Sequence, residues 1–314
     1  MADVRVGICS WTDRTLLRSG FYPASASNPA SRLAYYASCF DVVEIDSTYY
    51  SLADIRSAFR WAAGTPPGFM FGVKSYAIFT FHRAKYSSLP AWLKAELGAK
   101  QPDETVRREE LSHEQRVRLF TEFMEPVEIL RSAERLAYLL FQFPPGWVFS
   151  AQALSYIKRL REMSGPLPLA VEVRNNSWLK EGNREKFLSV LSDQNIAYVA
   201  VDEPETGWSV PRDCYVTARW GSVARFHGRN RAGWKKPGAS VQERFDYEYT
   251  RDELQEWAGR VRELTDKLKA AGNIFLMFNN CVSDKAVKGA LMMSDILGLS
   301  PKKKLNIQKT FDFG

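Results

Sequence analysis

Histidine and cysteine are both scarce in this chain. Three histidines (His82, His113 and His227) and four cysteines (Cys9, Cys39, Cys214 and Cys281) are spread over 314 residues. No two cysteines form a CxxC pair, so neither a zinc site nor a disulfide framework is indicated. A histidine-rich transition-metal centre lacks its ligands, and no metal site is expected from these residues. No apolar stretch approaches the ~20 residues of a membrane span, and MADVRVGICSW at the start lacks a basic segment followed by a long apolar run. The expectation is a cytoplasmic protein with no membrane partner. Familiar motifs are missing too. Without a Walker loop, GxGxxG, GxSxG or HExxH, the common nucleotide and hydrolase signatures are absent.

What the chain has in quantity is apolar residues, aromatic rings and cations. A hydrophobic content of 45% supports a large core, in one large α/β domain or two smaller ones. The formal charge of +7 permits attraction to phosphates. Part of it is peripheral: Lys302, Lys303 and Lys304 lie in a basic tail at 301–314, and Lys235 and Lys236 lie in a loop. Such runs usually keep a surface soluble. Nine Trp and thirteen Tyr are ordinarily core residues, but at loop positions their rings can stack on sugars or bases.

Apolar runs of strand length alternate with helical patterns. Strands are predicted at 4–11, 41–47, 69–74, 136–143, 169–174, 196–202, 223–227 and 273–279. Helices are predicted at 31–40, 55–63, 151–163, 183–194, 250–271 and 286–297. In the 250–271 segment Thr250 and Glu253 form a capping box and Gly272 is a stop. Eight strands interleaved with helices predict a parallel sheet, and eight is the number that closes a (β/α)8 barrel over 1–300. An open, doubly wound sheet is the alternative. Two stretches break the rhythm. Residues 77–112 follow the third strand and read as a lid with a partly mobile polar run at 101–110. Residues 228–249 follow the seventh strand and are rich in Arg, Lys, Gly and Trp. Both belong at the C-terminal mouth, where barrel loops carry function.

The stretch LAVEVRNNSW at 169–178 shows the pattern that matters most. Side chains alternate along a strand, so Leu169, Val171 and Val173 share one face and Ala170, Glu172 and Arg174 the other. Buried charges cost several kcal/mol unless paired. A register-fixing ion pair would explain one such strand end. The same alternation groups Glu44 and Asp46 with Val42, Lys74 with Gly72, Gln142 with Leu140, Asp202 with Ala200, Arg225 and His227 with Val223, and Asn279 with Met277. Converging polar ends on so many strands favour a site.

Within it, Glu44, Lys74, Glu172, Asp202 and His227 are the catalytic candidates. His227 is the natural proton carrier near neutral pH. The carboxylates could form an acid/base pair or hold a divalent cation. Lys74, Arg174, Arg225 and Arg229 suit an anionic substrate. Trp11, Asp46, Gln142, Trp178, Asn230, Trp234 and Asn279 complete the substrate-binding set. The reading is an enzyme doing acid/base chemistry on a small anionic or sugar-like substrate. The alternative is a nucleic-acid-binding or nuclease-like barrel using the basic loop, Trp234 and Tyr247, against which the missing histidine cluster counts.

Several motifs together resemble the YecE-like family, domain of unknown function 72. They are Gly7 with Ser10-Trp11, Phe21-Tyr22-Pro23, VEIDSTYY at 43–50, Thr65-Pro66 followed by GFMFGVK to Lys74, LLFQFPP at 139–145, EVRNNSW at 172–178, VDEP at 201–204, RFHGRN at 225–230 and FNN at 278–280. The resemblance spans nearly the whole chain. It implies a TIM-barrel-like fold and carries no reaction. The chain departs from the family at 86–112, which is longer and more polar than expected, and at Cys9 and Tyr50, where a small residue and Phe are expected.

Overall fold

Runs buried on both faces make a parallel sheet, and in the computed structural model, which describes residues 2–268 and 272–299, that sheet closes on itself. The barrel strands are β1 (Asp3–Cys9), β2 (Val42–Ile45), β3 (Met70–Lys74), β4 (Leu136–Gln142), β5 (Leu169–Glu172), β6 (Ile196–Asp202), β7 (Gly221–Phe226) and β8 (Asn273–Phe278). Neighbours in sequence pair in parallel, and β1 against β8 completes the ring. The fold is therefore the TIM-barrel-like α/β architecture, and the open sheet is excluded.

The helices are α1 (Pro29–Ala37), α2 (Ile55–Ala63), α3 (Ala91–Leu97), α4 (His113–Ser132), α5 (Ala151–Ser164), α6 (Asn183–Asp193), α7 (Arg231–Lys235), α8 (Val241–Phe245), α9 (Arg251–Leu268) and α10 (Lys285–Ile296). Sequence chemistry sets their starts: Asn28, Asp54 and Ser150 side chains accept from the first-turn amides of α1, α2 and α5. In α9 the expected stripe of Leu254, Trp257, Ala258, Val261, Leu264 and Leu268 is buried, the leucines and the valine contributing roughly 1.5–3 kcal/mol each. The predicted end of that helix at 269–271 and the basic tail at 301–314 lie outside the described residues.

Three features differ from expectation. First, α4 is a 20-residue helix that the periodicity did not announce, because Pro126 sits inside it and charged residues crowd its outer side. Its signal was the Ser112–Gln115 capping box. Second, β6 runs to β7 without a helix. Pro204, Gly207 and Pro211 discourage one, and the segment is tied down where Thr217 Oγ1 donates to the Ile196 carbonyl at 2.7 Å and accepts from the Tyr198 amide at 2.8 Å. Third, the polar run at 101–110 takes part in ordered structure. Ala84–Lys85 and Thr105–Val106 form an antiparallel ribbon, and the Gln101 amide donates to Glu104 Oε1 at 2.7 Å. Phe79 packs on Phe120 and Phe123, and Phe81 on Trp147 and Tyr156, so this insertion is anchored on the α4–α5 flank.

Two glycines make room at the barrel axis. A Cβ on Gly7 would stand 2.1 Å from the Val42 carbonyl oxygen, and one on Gly72 would stand 2.5 Å from the Tyr138 ring. Tyr138 fills that space and reaches Glu44.

Candidate active site

Strand register decides which side chains point inward. Cys9 lies beside Glu44, Gln142 beside Glu172, and Met277 beside Arg225, so alternation sends these and their i+2 neighbours toward the axis. At the centre is Arg225, which is fully buried. Its Nη2 donates to Glu44 Oε1 at 2.6 Å, and its Nη1 donates to Glu172 Oε2 at 2.7 Å and to Gln142 Oε1 at 3.0 Å. The Cys9 sulfur lies 3.6 Å from Nη2, and the Tyr138 hydroxyl donates to Glu44 Oε2 at 3.0 Å. One guanidinium thus spans two carboxylates, which is the condition under which buried charge is tolerated.

His227 and Arg174 extend the network. His227 Nε2 lies 2.9 Å from Glu172 Oε1 and its Nδ1 lies 3.0 Å from Asn279 Nδ2. An amide donating to Nδ1 leaves the proton on Nε2, so the ring is the neutral tautomer. Arg174 donates to Glu203 through Nε at 2.8 Å and also through Nη2, and its Nη1 reaches Glu172 Oε1 at 3.3 Å. Burial and then Arg174 hold the His227 pKa down to about 3. For Glu172, burial works against ionisation, but Arg225, His227 and Arg174 outweigh it and keep the carboxyl well below its usual range.

Acid stability follows from these directions. Between pH 6.5 and about 3 the unfolded chain carries a proton on His227 that the folded chain does not. Stability is therefore present above pH 6.5 and is lost as pH falls, by up to about 1.4 kcal/mol per pH unit for this histidine. Glu172 adds a loss of the same sign below its ordinary value of 4.5. Glu203, whose pKa is raised by burial, works the other way. Urea titrations at pH 7, 6 and 5 are expected to show a shallower slope for His227→Gln than for the native protein. An equal slope would mean that His227 takes up its proton normally in the folded state.

Above the buried network is a second group closer to solvent. Lys74 Nζ lies 2.8 Å from Asp46 Oδ1 and 4.4 Å from the centre of the Tyr49 ring. The Asp46 side chain keeps 20% of its exposure and Lys74 9%. Burial opposes both charges, but their mutual attraction prevails: the Asp46 pKa is lowered and the Lys74 pKa is raised. Gln142 and Asn279 are half-buried at the same end, and Tyr50 is 57% exposed. Across the mouth, α7 and α8 bring Trp234 to 5.1 Å from the Arg174 guanidinium and Phe245 to 5.7 Å from the His227 ring.

The structure gathers Glu44, Asp46, Lys74, Gln142, Glu172, Arg174, Arg225, His227, Trp234 and Asn279, but not the other candidates. Asp202 is paired with Phe226, not with inward Arg225, so it points outward. There Arg229, Tyr249 and Trp257 all donate to it. Arg229 is used up on that carboxylate and on Glu253. Asn230 caps α7 and donates to the Glu243 and Asp246 carbonyls. Trp178 is fully buried and donates to the Trp147 carbonyl at 2.8 Å, while Trp11 packs edge-on against Trp61. Among the described residues no group of three or more His, Cys, Asp or Glu side chains could hold a metal ion, so the carboxylate-held divalent cation finds no ligand set. Sequence reasoning missed Glu203, Tyr138 and His82. Glu203 was visible in VDEP, one residue past the candidate chosen there.

The buried network is closed in this conformation. Two surface cavities have neither Asp46 nor Lys74 in their walls, one of about 500 Å³ beside Ser51, Asp54, Ile55 and Glu122, and one of about 240 Å³ beside Glu203, Arg212 and Arg260. Among the described residues no helix is long and apolar enough to cross a membrane.

Known proteins are similar to this chain over nearly its whole length. The UPF0759 protein YunF of Bacillus subtilis (strain 168) is 28% identical over 309 residues, covering 96% of this chain and 98% of that protein. A solved DUF72 family protein from Enterococcus faecalis V583 has 26% identity and a TM-score of 0.76, covering 95% of this chain and 96% of its own. Another, from Thermotoga maritima MSB8, has 30% identity and a TM-score of 0.72, covering 94% and 99%. The family model described as "Protein of unknown function DUF72" matches residues 5–310, from within β1 to beyond α10, and the chain belongs to that family.

Proposed function

We propose that the barrel mouth is the active site of an enzyme that does acid/base chemistry on a small, hydroxyl-rich, sugar-like substrate. The observation that carries this reading is the Asp46–Lys74 ion pair. It is held at 2.8 Å at the C-terminal ends of β2 and β3, partly open to solvent, above a buried network that fixes the strand ends around it. Asp46, kept ionised by Lys74, is the base for a hydroxyl proton or for a C–H proton next to a carbonyl. Lys74 stabilises the oxyanion that develops. The exposed Tyr50 ring offers a face for a sugar ring, and the half-buried amides of Gln142 and Asn279 offer hydrogen bonds.

Charge favours the sugar-like branch over the anionic one. Lys74, Arg174, Arg225 and Arg229 each already face a carboxylate. The same accounting weakens the nucleic-acid alternative, because Arg229 is turned onto Asp202 and the exposed Lys236 pairs with Glu243, leaving Arg231 and Lys235 as the exposed cations of that loop with no ion pair among the described residues.

The test is proton NMR in D2O with a panel of aldoses, ketoses, uronic acids and methyl glycosides. Deuterium incorporation or glycoside cleavage with a neutral member is the expected result. No turnover across the panel, together with salt-sensitive binding of DNA or RNA, would replace this reading with the alternative.

A further inference from the structure

We infer that His82, carried by the insertion after β3, is the proton-transfer partner of Asp46 at the mouth, and that His227 is a positioning residue. The inference rests on the reading of the mouth as an acid/base site and adds to it the group that moves the proton.

Two histidines border the site, and their surroundings differ. His227 has no exposed surface and both ring nitrogens are engaged, Nε2 by Glu172 and Nδ1 by Asn279. It has neither a free lone pair nor a path to substrate. His82 is half-buried, and only its Nδ1 is engaged, 2.9 Å from Thr80 Oγ1. Its Nε2 makes no hydrogen bond among the described residues. The ring packs edge-on against Tyr49 at 5.3 Å, and the same Tyr49 ring carries Lys74 Nζ, which holds Asp46. His82 and Lys74 therefore share one aromatic side chain, and Lys74 holds Asp46.

The backbone holds His82 in place. Phe81 adopts a left-handed conformation, φ 59°, and its ring is packed between Trp147, Phe143 and Tyr156. The His82 amide donates to the Ala77 carbonyl at 3.1 Å. A strained residue wedged in a core and followed by a half-exposed histidine is a feature of functional sites.

Thr80 provides for both protonation states. Its hydroxyl lies 3.3 Å from the Ala77 carbonyl as well as near Nδ1. With the hydroxyl donating to Ala77, Nδ1–H donates to Thr80 Oγ1 and Nε2 presents a lone pair. That lone pair takes over the proton that Asp46 removes from the substrate, which leaves Asp46 ionised again and gives an imidazolium. Returning the Nε2 proton to the departing oxygen or to the product restores the neutral ring, so nothing else is consumed. Burial, Lys74 and Arg174 hold the His82 pKa down to about 4, with Glu172 opposing them, so the imidazolium is a strong acid while it lasts.

The experiment compares His82→Gln, His227→Gln, Thr80→Val and Asp46→Asn on the substrate that the D2O panel identifies, reading kcat and KM across pH 4–9, with thermal unfolding as the check on folding. For His82→Gln the expected result is a fall in kcat of about 10²–10⁴-fold, a KM within about threefold, and loss of the part of the acidic limb that His82 contributes, the Asp46 part remaining. His227→Gln keeps that limb, and Thr80→Val shifts it. A folded His82→Gln protein with the native profile, beside an inactive Asp46→Asn, overturns the inference and leaves the active-site reading standing. Full activity in both variants overturns both. A panel with no turnover removes the reading and this inference with it.

Discussion

Replacing Arg225 by methionine is expected to lower the free energy of unfolding by about 3–5 kcal/mol, more than any other single change at the barrel axis. The guanidinium is fully buried and is the shared partner of Glu44 and Glu172, which are also fully buried. Without it Glu44 keeps only the Tyr138 hydroxyl, and Glu172 keeps His227 and Arg174. The cost comes from the charges left behind, not from the lost contacts. Removing those charges together, as Glu44→Gln, Glu172→Gln and Arg225→Met, is therefore expected to recover most of it. Urea unfolding of the single and triple variants decides the matter. A single variant within about 1 kcal/mol of the native protein would show that water reaches these carboxylates.

The second large effect is on turnover. Asp46→Asn is expected to reduce kcat by about 10²–10⁴-fold, the range for removing a general base. Stability should fall as well, because Lys74 is left buried without its partner, so kcat is read under conditions where the variant is folded. Lys74→Met removes the main opposing force to burial at Asp46, so the Asp46 pKa should rise. The acidic limb of kcat against pH should then move to higher pH in the His82→Gln background as well as in the native one, because Lys74 also holds down the His82 pKa. That displacement separates a catalytic pair from a structural one, since a structural pair would alter stability without moving the limb. Native kcat in Asp46→Asn would end the assignment of Asp46 as the base.

How much of this was readable before folding varies by residue. The eight strands, their order and the inward set Glu44, Glu172, Arg174, Arg225 and His227 all came from local alternation, because a period of two is a property of the strand itself. The same rule failed at β6. Val199, Ala200 and Val201 are all buried, so the strand shows no polar face, and alternation alone does not separate Asp202 from Glu203. α4 was hidden by Pro126, and the polar run at 101–110 looked mobile because its partners lie elsewhere in the chain.

By itself, then, the sequence determined eight buried strands interleaved with helices and charged residues at their ends, since burial and alternation act over a few neighbouring residues, while closure of the sheet into a barrel was decided by the tertiary structure. Only the tertiary structure decided which of those charges are already matched. It placed Arg229 on Asp202 and Arg225 between two glutamates, and it brought His82 beside Tyr49. Pairing depends on distances between residues far apart in the chain, and those exist only once the sheet has closed.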